Sequence, residues 1–349
     1  KKIKIGIGSD CRFSSPLLKK ALLKGLLANE VVIYDFGEVS TPLFYFSLKK
    51  SKSDFGIMIT ASHLPLEFNG LKICNKELLV IGGWQIKSIK EFFNSEISLK
   101  KRGKIKKKRF FNLYINFLLN SQRFSSEELN YLKKRKIIIN SLKGMTGPIL
   151  KKLKEKFDSA WQLKGDKPKP YGLEEISKKT KKSLEKEMAI LIKKEKADLG
   201  VIFDGDGDRV ILFDSSGEIV REDLVGTLLA EKILIEKKRG KIVIDRRSSK
   251  VAQEVIRKRG GKVVFSPVGH RFFKKKMIKN RTIFGFEKSG HYYFKDFFYA
   301  DAGIFTFLKV LKILSEKKKK IEELLLPYKK YFGSPEIDLR VKNPAFLLK

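Results

Sequence analysis

Short apolar runs alternate along this chain with longer segments whose apolar residues recur every three or four positions. That alternation predicts buried strands joined by amphipathic helices, an α/β protein with mixed, largely parallel sheets. "KIKIGIG" reads as the first strand. "SSPLLKKALLKGLLANE" follows as a helix, with Ser15 expected at its N-cap and Pro16 in its first turn. "VVIYDFG" is the next strand, "TPLFYFSLKK" the next capped helix, and "FGIMI" a third strand that runs into "TASHLPLEFNGLK" (Thr60–Lys72). The basic, glycine-bearing "KKRGKIKKKR" (Lys100–Arg109) reads as a solvated surface stretch, with "NLYINFLLN" as a helix after it.

A second unit is expected from near Lys134. Its strand "KIIIN" enters a glycine-rich turn, "SLKGMTGP", then a helix, then the Pro-containing "KGDKPKPYG". A lysine-rich helix leads to "ADLGVIF", a strand that ends in "DGDGDR", and "VILFDSSGEIV" reads as a hairpin with Ser-Gly at its turn. A third unit is expected from near Gly240, with "KIVID", "KVVFS" and "TIFGFE" as strands and "SSKVAQEVIRKRG" and "HRFFKKKMIKN" as helices between them. "HYYF" and the helix "ADAGIFTFLKVLKILSEK" complete it. Past "KKKK" (Lys317–Lys320) the periodicity thins, and "SPEIDLRV" reads as one more strand. Three successive strand–helix units hint at a repeat without a strong sequence period.

Composition narrows the class. A chain of 349 residues with 42% hydrophobic content has enough apolar material for two or three domains with cores of their own. No apolar run approaches the roughly 18–20 residues that span a bilayer, so no membrane partner is expected. The amino end is a short alternating strand rather than a signal peptide, and it begins without Met, as a fragment of a longer protein would. Cys11 and Cys74 make neither a disulfide framework nor a zinc spacing, which fits a reducing cytoplasm. A net charge of +37 is the footprint of a nucleic-acid binder. The bases are 61 lysines against 15 arginines, however, spread over helix faces as in "SKKTKKSLEKEMAILIKKEKA". Base reading and bidentate phosphate grips favour arginine, so no specific nucleic-acid partner is expected. A positive field would still draw in an anionic small molecule such as a sugar phosphate.

Candidate chemistry sits at strand ends. In "DGDGDR" (Asp204–Arg209) three aspartates alternate with Gly205 and Gly207. Only a tight, glycine-permitted turn lets three alternate carboxylates converge, and converging carboxylates repel unless a hard divalent cation lies among them. An EF-hand calcium loop is excluded: counted from Asp204, position 6 is Arg209 and position 12 is Ser215, where Gly and Glu are required. The three histidines, His63, His270 and His291, each stand beside Ser or Gly in polar stretches rather than on apolar helix faces. A Ser-His hydrolase does not fit, because G-x-S-x-G is absent around Ser62. Phosphoryl transfer fits better, since it needs an oxygen nucleophile, a cation and positive side chains more than a strong base.

Taken together, "TASHLPLEFNGLK", "DGDGDR" and "GFEKSGHYYF" resemble, in order and approximate spacing, the α-D-phosphohexomutases, with the greatest likeness to the bacterial phosphomannomutase/phosphoglucomutase branch. The likeness runs from Ile5 to about Val341. It implies a domain I over 1–132 carrying a phosphoserine loop, a domain II over 133–238 with a metal loop, and a domain III over 239–330 with a sugar-recognition loop. Residues 331–349 would be the stub of a phosphate-binding domain IV. Ser62 would be the phosphoserine, donating its phosphoryl group to one end of a hexose monophosphate and recovering one from the other end of a hexose 1,6-bisphosphate. Asp204, Asp206 and Asp208 would hold Mg²⁺, with phospho-Ser62 as a further ligand. His63 and Lys72 would flank the serine as acid/base and electrostatic groups, Arg209 would help position its loop, and His291 would sit at the reacting end. Glu287 and Ser289 would read sugar hydroxyls, while Gly269, His270, Arg247 and Arg12 would complete the substrate contacts.

The expected activity is a cytoplasmic isomerase of carbohydrate metabolism that moves phosphate between the 1- and 6-positions of mannose or glucose. The expected partner is a hexose phosphate, and the expected state a monomer or weak homodimer. A phosphoglucosamine mutase and a catalytically impaired phosphosugar-binding fragment are the alternatives. The chain also departs from the family pattern. Leu64 replaces an Asn after Ser-His, and Ser9 replaces the first arginine of Gly-Arg-Asp-x-Arg, with Arg12 kept. An amino-terminal Tyr-Asp-x-Arg-Gly segment and most of domain IV are missing. A chain limited to these residues would exchange phosphate at Ser62 yet turn over poorly, whereas a longer parent would be a complete mutase.

Overall fold

The computed structural model describes residues 2–62, 64–65, 67–92, 102–169 and 181–333. It contains three five-stranded sheets in tandem. The first is built from β1 (Ile3–Ser9), β2 (Val31–Glu38), β3 (Phe55–Ile59), β4 (Leu71–Asn75) and β5 (Lys104–Lys107), with helices α1 (Ser15–Leu27), α2 (Thr41–Ser51) and α3 (Trp84–Glu91) between them. Two helices, α4 (Phe111–Gln122) and α5 (Ser126–Lys133), then lead to β6 (Ile137–Asn140), α6 (Gly147–Phe157), β7 (Gln162–Lys164), α7 (Lys181–Glu195), β8 (Leu199–Phe203), β9 (Val210–Phe213) and β10 (Ile219–Val220). The third set is α8 (Glu222–Lys237), β11 (Gly240–Asp245), α9 (Lys250–Lys258), β12 (Gly261–Ser266), α10 (His270–Asn280), β13 (Phe284–Phe286), β14 (Tyr292–Phe294), β15 (Ala300–Asp301), α11 (Gly303–Lys317) and α12 (Ile321–Leu325).

The three sheets share one topology. In each, the first three strands pair in parallel and the fourth turns back antiparallel beside the third: β4-β3-β1-β2, β9-β8-β6-β7 and β14-β13-β11-β12. Each sheet then gains a different extra edge strand, β5, β10 or β15. The hinted repeat is therefore a repeat of topology. Connections between parallel strands run through helices, while the step from third to fourth strand is a hairpin. The three stretches singled out for chemistry all occupy that hairpin step.

Lys104–Lys107, expected as a solvated surface stretch, is exposed throughout and is also a strand: it pairs in parallel with β2 at the sheet edge. Lysines suit such a position because they discourage pairing with another chain. Helix α1 has Ser14 rather than Ser15 at its N-cap, and Ser14 makes no capping bond; Ser15 Oγ instead donates to Asp10 Oδ1 at 2.7 Å. "LKICN", for which no strand was expected, is β4. The strand expected in "SPEIDLRV" lies outside the described residues.

Two helices hold the units together. Apart from its two lysines, α2 is buried along its whole length, and Ser40 Oγ caps it by accepting from the Leu43 N–H at 3.3 Å. Helix α11, a nearly all-buried segment of the third unit, packs against α4, α5, β9 and α8. Its Phe307 sits edge-on to Trp161 at 5.4 Å and to Phe203 at 6.0 Å, both from the second unit. Helix α8, although it precedes residue 239, packs against α9, β11 and β13. Among the described residues no helix is long and apolar enough to cross a membrane.

Emptying a fully buried aromatic site costs about 3–5 kcal/mol. Phe307→Ala should lower the unfolding free energy by about that amount, read as a shift in the urea midpoint. A shift of less than about 1 kcal/mol would mean that α11 is not the joint it is described to be.

Candidate functional site

Strand β3 ends at Ile59, and Thr60 Oγ1 accepts the Ser62 N–H at 2.9 Å. Ser62 has φ +54°, left-handed for a residue with a Cβ, which costs roughly 1 kcal/mol and places the side chain off the line of the strand. Its hydroxyl donates to Asp206 Oδ1 at 2.9 Å, across to the second unit. His63 lies outside the described residues. Lys72, on β4 opposite Met58, points its ammonium at the same place, with Nζ 2.7 Å from Asp206 Oδ2 and 3.1 Å from Asp208 Oδ2. Burial works against the Lys72 charge, but Asp206 and Asp208 outweigh it and raise its pKa well above the ordinary value, so it is a fixed cation here.

The turn after β8 depends on Gly207 and on the close approach of Gly144 from the turn after β6. Gly207 has φ +78°, and a Cβ on Gly144 would meet the Gly205 carbonyl oxygen at 2.5 Å. Asp204 turns inward: Oδ1 accepts the N–H groups of Gly207 and Arg209, and Oδ2 accepts Arg209 Nε at 2.9 Å. Arg209, expected to position this loop, is thus tied to it. Oxygens of Asp204, Asp206 and Asp208 lie within 4.8 Å of one another. Asp208 Oδ1 is buried without a hydrogen-bond partner, an orphan that a cation would satisfy. Burial and then Asp208 push the Asp204 carboxyl upward, whereas Asp208, despite burial, is held well down by Lys72. This oxygen-only, mutually repelling set fits a hard divalent cation.

The third hairpin brings the remaining polar groups. Arg209 pairs with His291 in an isolated antiparallel bridge, and Nε2 of His291 lies 3.5 Å from Asp208 Oδ1. Burial opposes protonation of His291, but Asp208 prevails and raises its pKa. Ser289 Oγ is 2.9 Å from His291 Nδ1. Glu287 is 1% exposed and committed within the protein: Oε1 accepts the Gly269 N–H at 2.7 Å, Oε2 accepts the Tyr293 hydroxyl, and burial raises its pKa. Arg247 bonds Asp245 Oδ2 at 3.1 Å, and the same oxygen accepts the Lys288 N–H, so Arg247 joins the hairpin through Asp245.

Arg12 stands apart from this polar cluster. It is 2% exposed and lies behind the Ser62 loop. Residues not singled out by pattern also take part. Thr41, at the start of α2, donates its hydroxyl to Asp206 Oδ2 at 2.7 Å and its N–H to the Asp206 carbonyl at 2.9 Å. Lys274 and Asp301, each 1% exposed, form a 2.8 Å ion pair, with Lys274 Nζ 3.8 Å from the Tyr45 ring centre. An Asp301 oxygen lies within 4.8 Å of ligand atoms of Asp208 and His291.

His270, at the start of α10, has a buried Nδ1 without a partner. Burial and then the Lys274 charge push its pKa down to about 4, with Lys72 acting the same way and Asp301 and Asp208 opposing. An unfolded histidine takes its proton near pH 6.5, so between about pH 6.5 and pH 4 the unfolded chain binds more protons. Stability should therefore fall as pH drops through that window, by on the order of 2 kcal/mol from this group. Urea titrations at about pH 7 and about pH 4.5 should show a smaller acid loss in His270→Gln than in the parent. Equal losses would mean that His270 protonates freely in the folded chain.

Comparison with known proteins gives one consistent result. The family described as phosphoglucomutase/phosphomannomutase matches in three parts: alpha/beta/alpha domain I over residues 1–100, domain II over 112–217 and domain III over 221–331. A phosphomannomutase of Methanocaldococcus jannaschii is 34% identical over 348 residues, 99% of this chain and 76% of that protein. One of Vibrio cholerae serotype O1 is 30% identical over 357 residues, 98% of this chain and 75% of its own length. The crystal structure of a phosphoglucomutase/phosphomannomutase family protein from Burkholderia thailandensis superposes with a TM-score of 0.82 at 24% identity. It covers 95% of this chain and 73% of the other, a likeness of fold.

Proposed function

The chain belongs to the phosphoglucomutase/phosphomannomutase family, and we propose that it moves phosphate between the 1- and 6-positions of mannose or glucose through a phosphorylated Ser62. The observation that carries this reading is the Ser62 hydroxyl bonded to Asp206 across two units, with Lys72 at the other oxygen of that carboxylate. A hydroxyl so placed can exchange a phosphoryl group, because the negative charge that arrives with it meets a fixed ammonium and a carboxylate set suited to a cation.

Mg²⁺ held by Asp204, Asp206, Asp208 and an oxygen of phospho-Ser62 would neutralise charge on the transferring group. The protein's own groups do the rest. The P–O bond to Ser62 breaks as a bond to a sugar hydroxyl forms; that hydroxyl gives up its proton, and the departing serine oxygen, supported by Lys72, takes one up. His291, next to Asp208 and bonded to Ser289, faces the hydroxyl end of the reaction. Glu287 and Ser289 read the sugar, with Gly269, His270 and Arg247 on the facing loops; Glu287 must exchange its bond to Gly269 or Tyr293 to do so. After the bisphosphate turns over, the second phosphoryl group returns to Ser62. Free, buried Cys11 and Cys74 and a phosphorylated metabolite as substrate support a cytoplasmic location.

Incubation with glucose 1,6-bisphosphate and Mg²⁺ should add one phosphoryl group to the chain, read by intact mass, and none to Ser62→Ala. Asp206→Asn should weaken Mg²⁺ binding and slow loading at least about a hundredfold while the circular dichroism spectrum is kept. Loading of Ser62→Ala to the same extent would remove Ser62 from the mechanism. Rates on the 1-phosphates of mannose, glucose and glucosamine test the sugar, and equal rates on all three would remove the claim for mannose or glucose.

A further inference from the structure

Arg12 carries three positions of sequence beyond the end of β1, and Ser62 three beyond the end of β3. The two strands are neighbours, with Ser9 paired to Ile59, so the two extensions leave the sheet edge side by side. Every N–H of the Arg12 guanidinium is then taken up. Nε donates to Asp10 Oδ2 at 3.1 Å. Nη1 donates to the carbonyls of Pro65 at 2.7 Å and Phe68 at 2.9 Å, and Nη2 to those of Ser62 at 3.0 Å and Leu64 at 2.7 Å. Asp10 is itself fixed, since its Oδ1 accepts the Arg12 N–H and the Ser15 hydroxyl. Asn69 Nδ2 reaches Ser14 Oγ and Ser15 Oγ, which ties the far side of the loop to the same anchor.

We propose that Arg12 is the positioning residue of the Ser62 loop, a buried guanidinium that gathers four loop carbonyls and so holds the Ser62 hydroxyl against Asp206, and that it makes no contact with substrate. The proposal rests on Ser62 being the phosphoryl carrier, although the clamp itself is a matter of loop geometry. A left-handed serine persists only where its surroundings over-determine it, and four carbonyls turned to one planar cation do that. The chemistry asks for a fork. A lysine offers three donors from one point and could meet neither the spread of the four carbonyls nor Asp10 as well.

That difference separates the clamp from a substrate grip. Lysine still attracts a phosphate as a point charge, though without the bidentate grip, so a substrate-binding Arg12 changed to Lys would show the loss in a raised KM with little change in kcat. A clamp would not. Arg12→Lys keeps the charge opposite Asp10 and the apolar stem, so the fold should hold. Its kcat should fall by roughly tenfold to a hundredfold with KM for glucose 1-phosphate within about threefold of the parent. Amide hydrogen exchange over residues 60–70 should quicken in the variant. Arg12→Ala should regain part of its Ser62 loading rate from glucose 1,6-bisphosphate when guanidinium ion, but not sodium, is added at low millimolar concentration. Preserved kcat with raised KM in Arg12→Lys, or unchanged exchange over the loop, would overturn the proposal. A parent chain that takes no phosphoryl group would instead overturn the reading of Ser62, and the exchange measurement would still decide the clamp.

Discussion

Asp206 is a carboxylate with no access to solvent, and the rest of the site is arranged to make that tolerable. A buried charge is costly unless its oxygens are met by partners of opposite sign or by donors. Here the partners come from elsewhere in the chain: Thr41 and Lys72 at one oxygen, Ser62 at the other, all from the first unit. The amino end of α2, where backbone N–H groups concentrate positive potential, abuts the same residue through the Thr41 N–H. None of these groups is held in place by the second unit alone. The site therefore exists only where the first and second units meet, and its ion pair and hydrogen bonds are part of that contact. The same reasoning extends to the third unit, where Asp208 meets His291 and the buried Lys274–Asp301 pair lies against Tyr45 of α2.

A shared topology explains how three separate stretches reach one place. In each sheet the third strand is followed by a hairpin to an antiparallel fourth, and that hairpin leaves the carboxyl edge of the parallel strands, where ligands gather in open α/β sheets. The first hairpin supplies a hydroxyl and an ammonium, the second three carboxylates, the third a histidine with short polar neighbours. Hairpin length is free to differ because the flanking strands fix only its two ends. The first is long enough to need its own clamp, whereas the second is a tight turn that relies on Gly207 at φ +78° and packs its Gly205 against Gly144 of the turn after β6. Similar frames can thus carry unlike chemistry at equivalent positions.

Much of this was legible from pattern. Alternating apolar runs located most strands, and the spacing of Asp204, Asp206 and Asp208 pointed to a converging set that the structure does bring together. Pattern failed where the determining partner is distant in sequence or is not a side chain. Lys104–Lys107 has no apolar alternation, and its strand character comes from the vacant edge of β2. Ser15 looks like a cap, but Asp10 claims its hydroxyl. Thr41 was legible as a helix start and not as a donor to a carboxylate 165 residues away. Arg12 was expected among the substrate contacts through the family resemblance alone. Backbone carbonyls, which leave no trace in side-chain pattern, occupy four of its five N–H groups instead. The signal that could have found it is the register of β1 with β3, which requires knowing that those strands are neighbours.

The overall charge and the charge of the site obey different rules. A surplus of +37 comes mostly from lysine, and most of the described lysines are exposed or half-buried, where water hydrates an ammonium and salt screens it beyond about 10 Å. Inside the cleft, lysine is used sparingly, and the described cations there are matched one by one: Lys72 with Asp206 and Asp208, Arg209 with Asp204, Lys274 with Asp301. One carboxylate oxygen of the acidic turn, Asp208 Oδ1, has no hydrogen-bond partner and remains for a cation, because the ammonium and guanidinium groups beside the turn are committed to the other oxygens. The surface field raises the local concentration of an anionic sugar phosphate without choosing among sugars. Choice has to come from the buried groups, whose geometry the surface lysines do not touch.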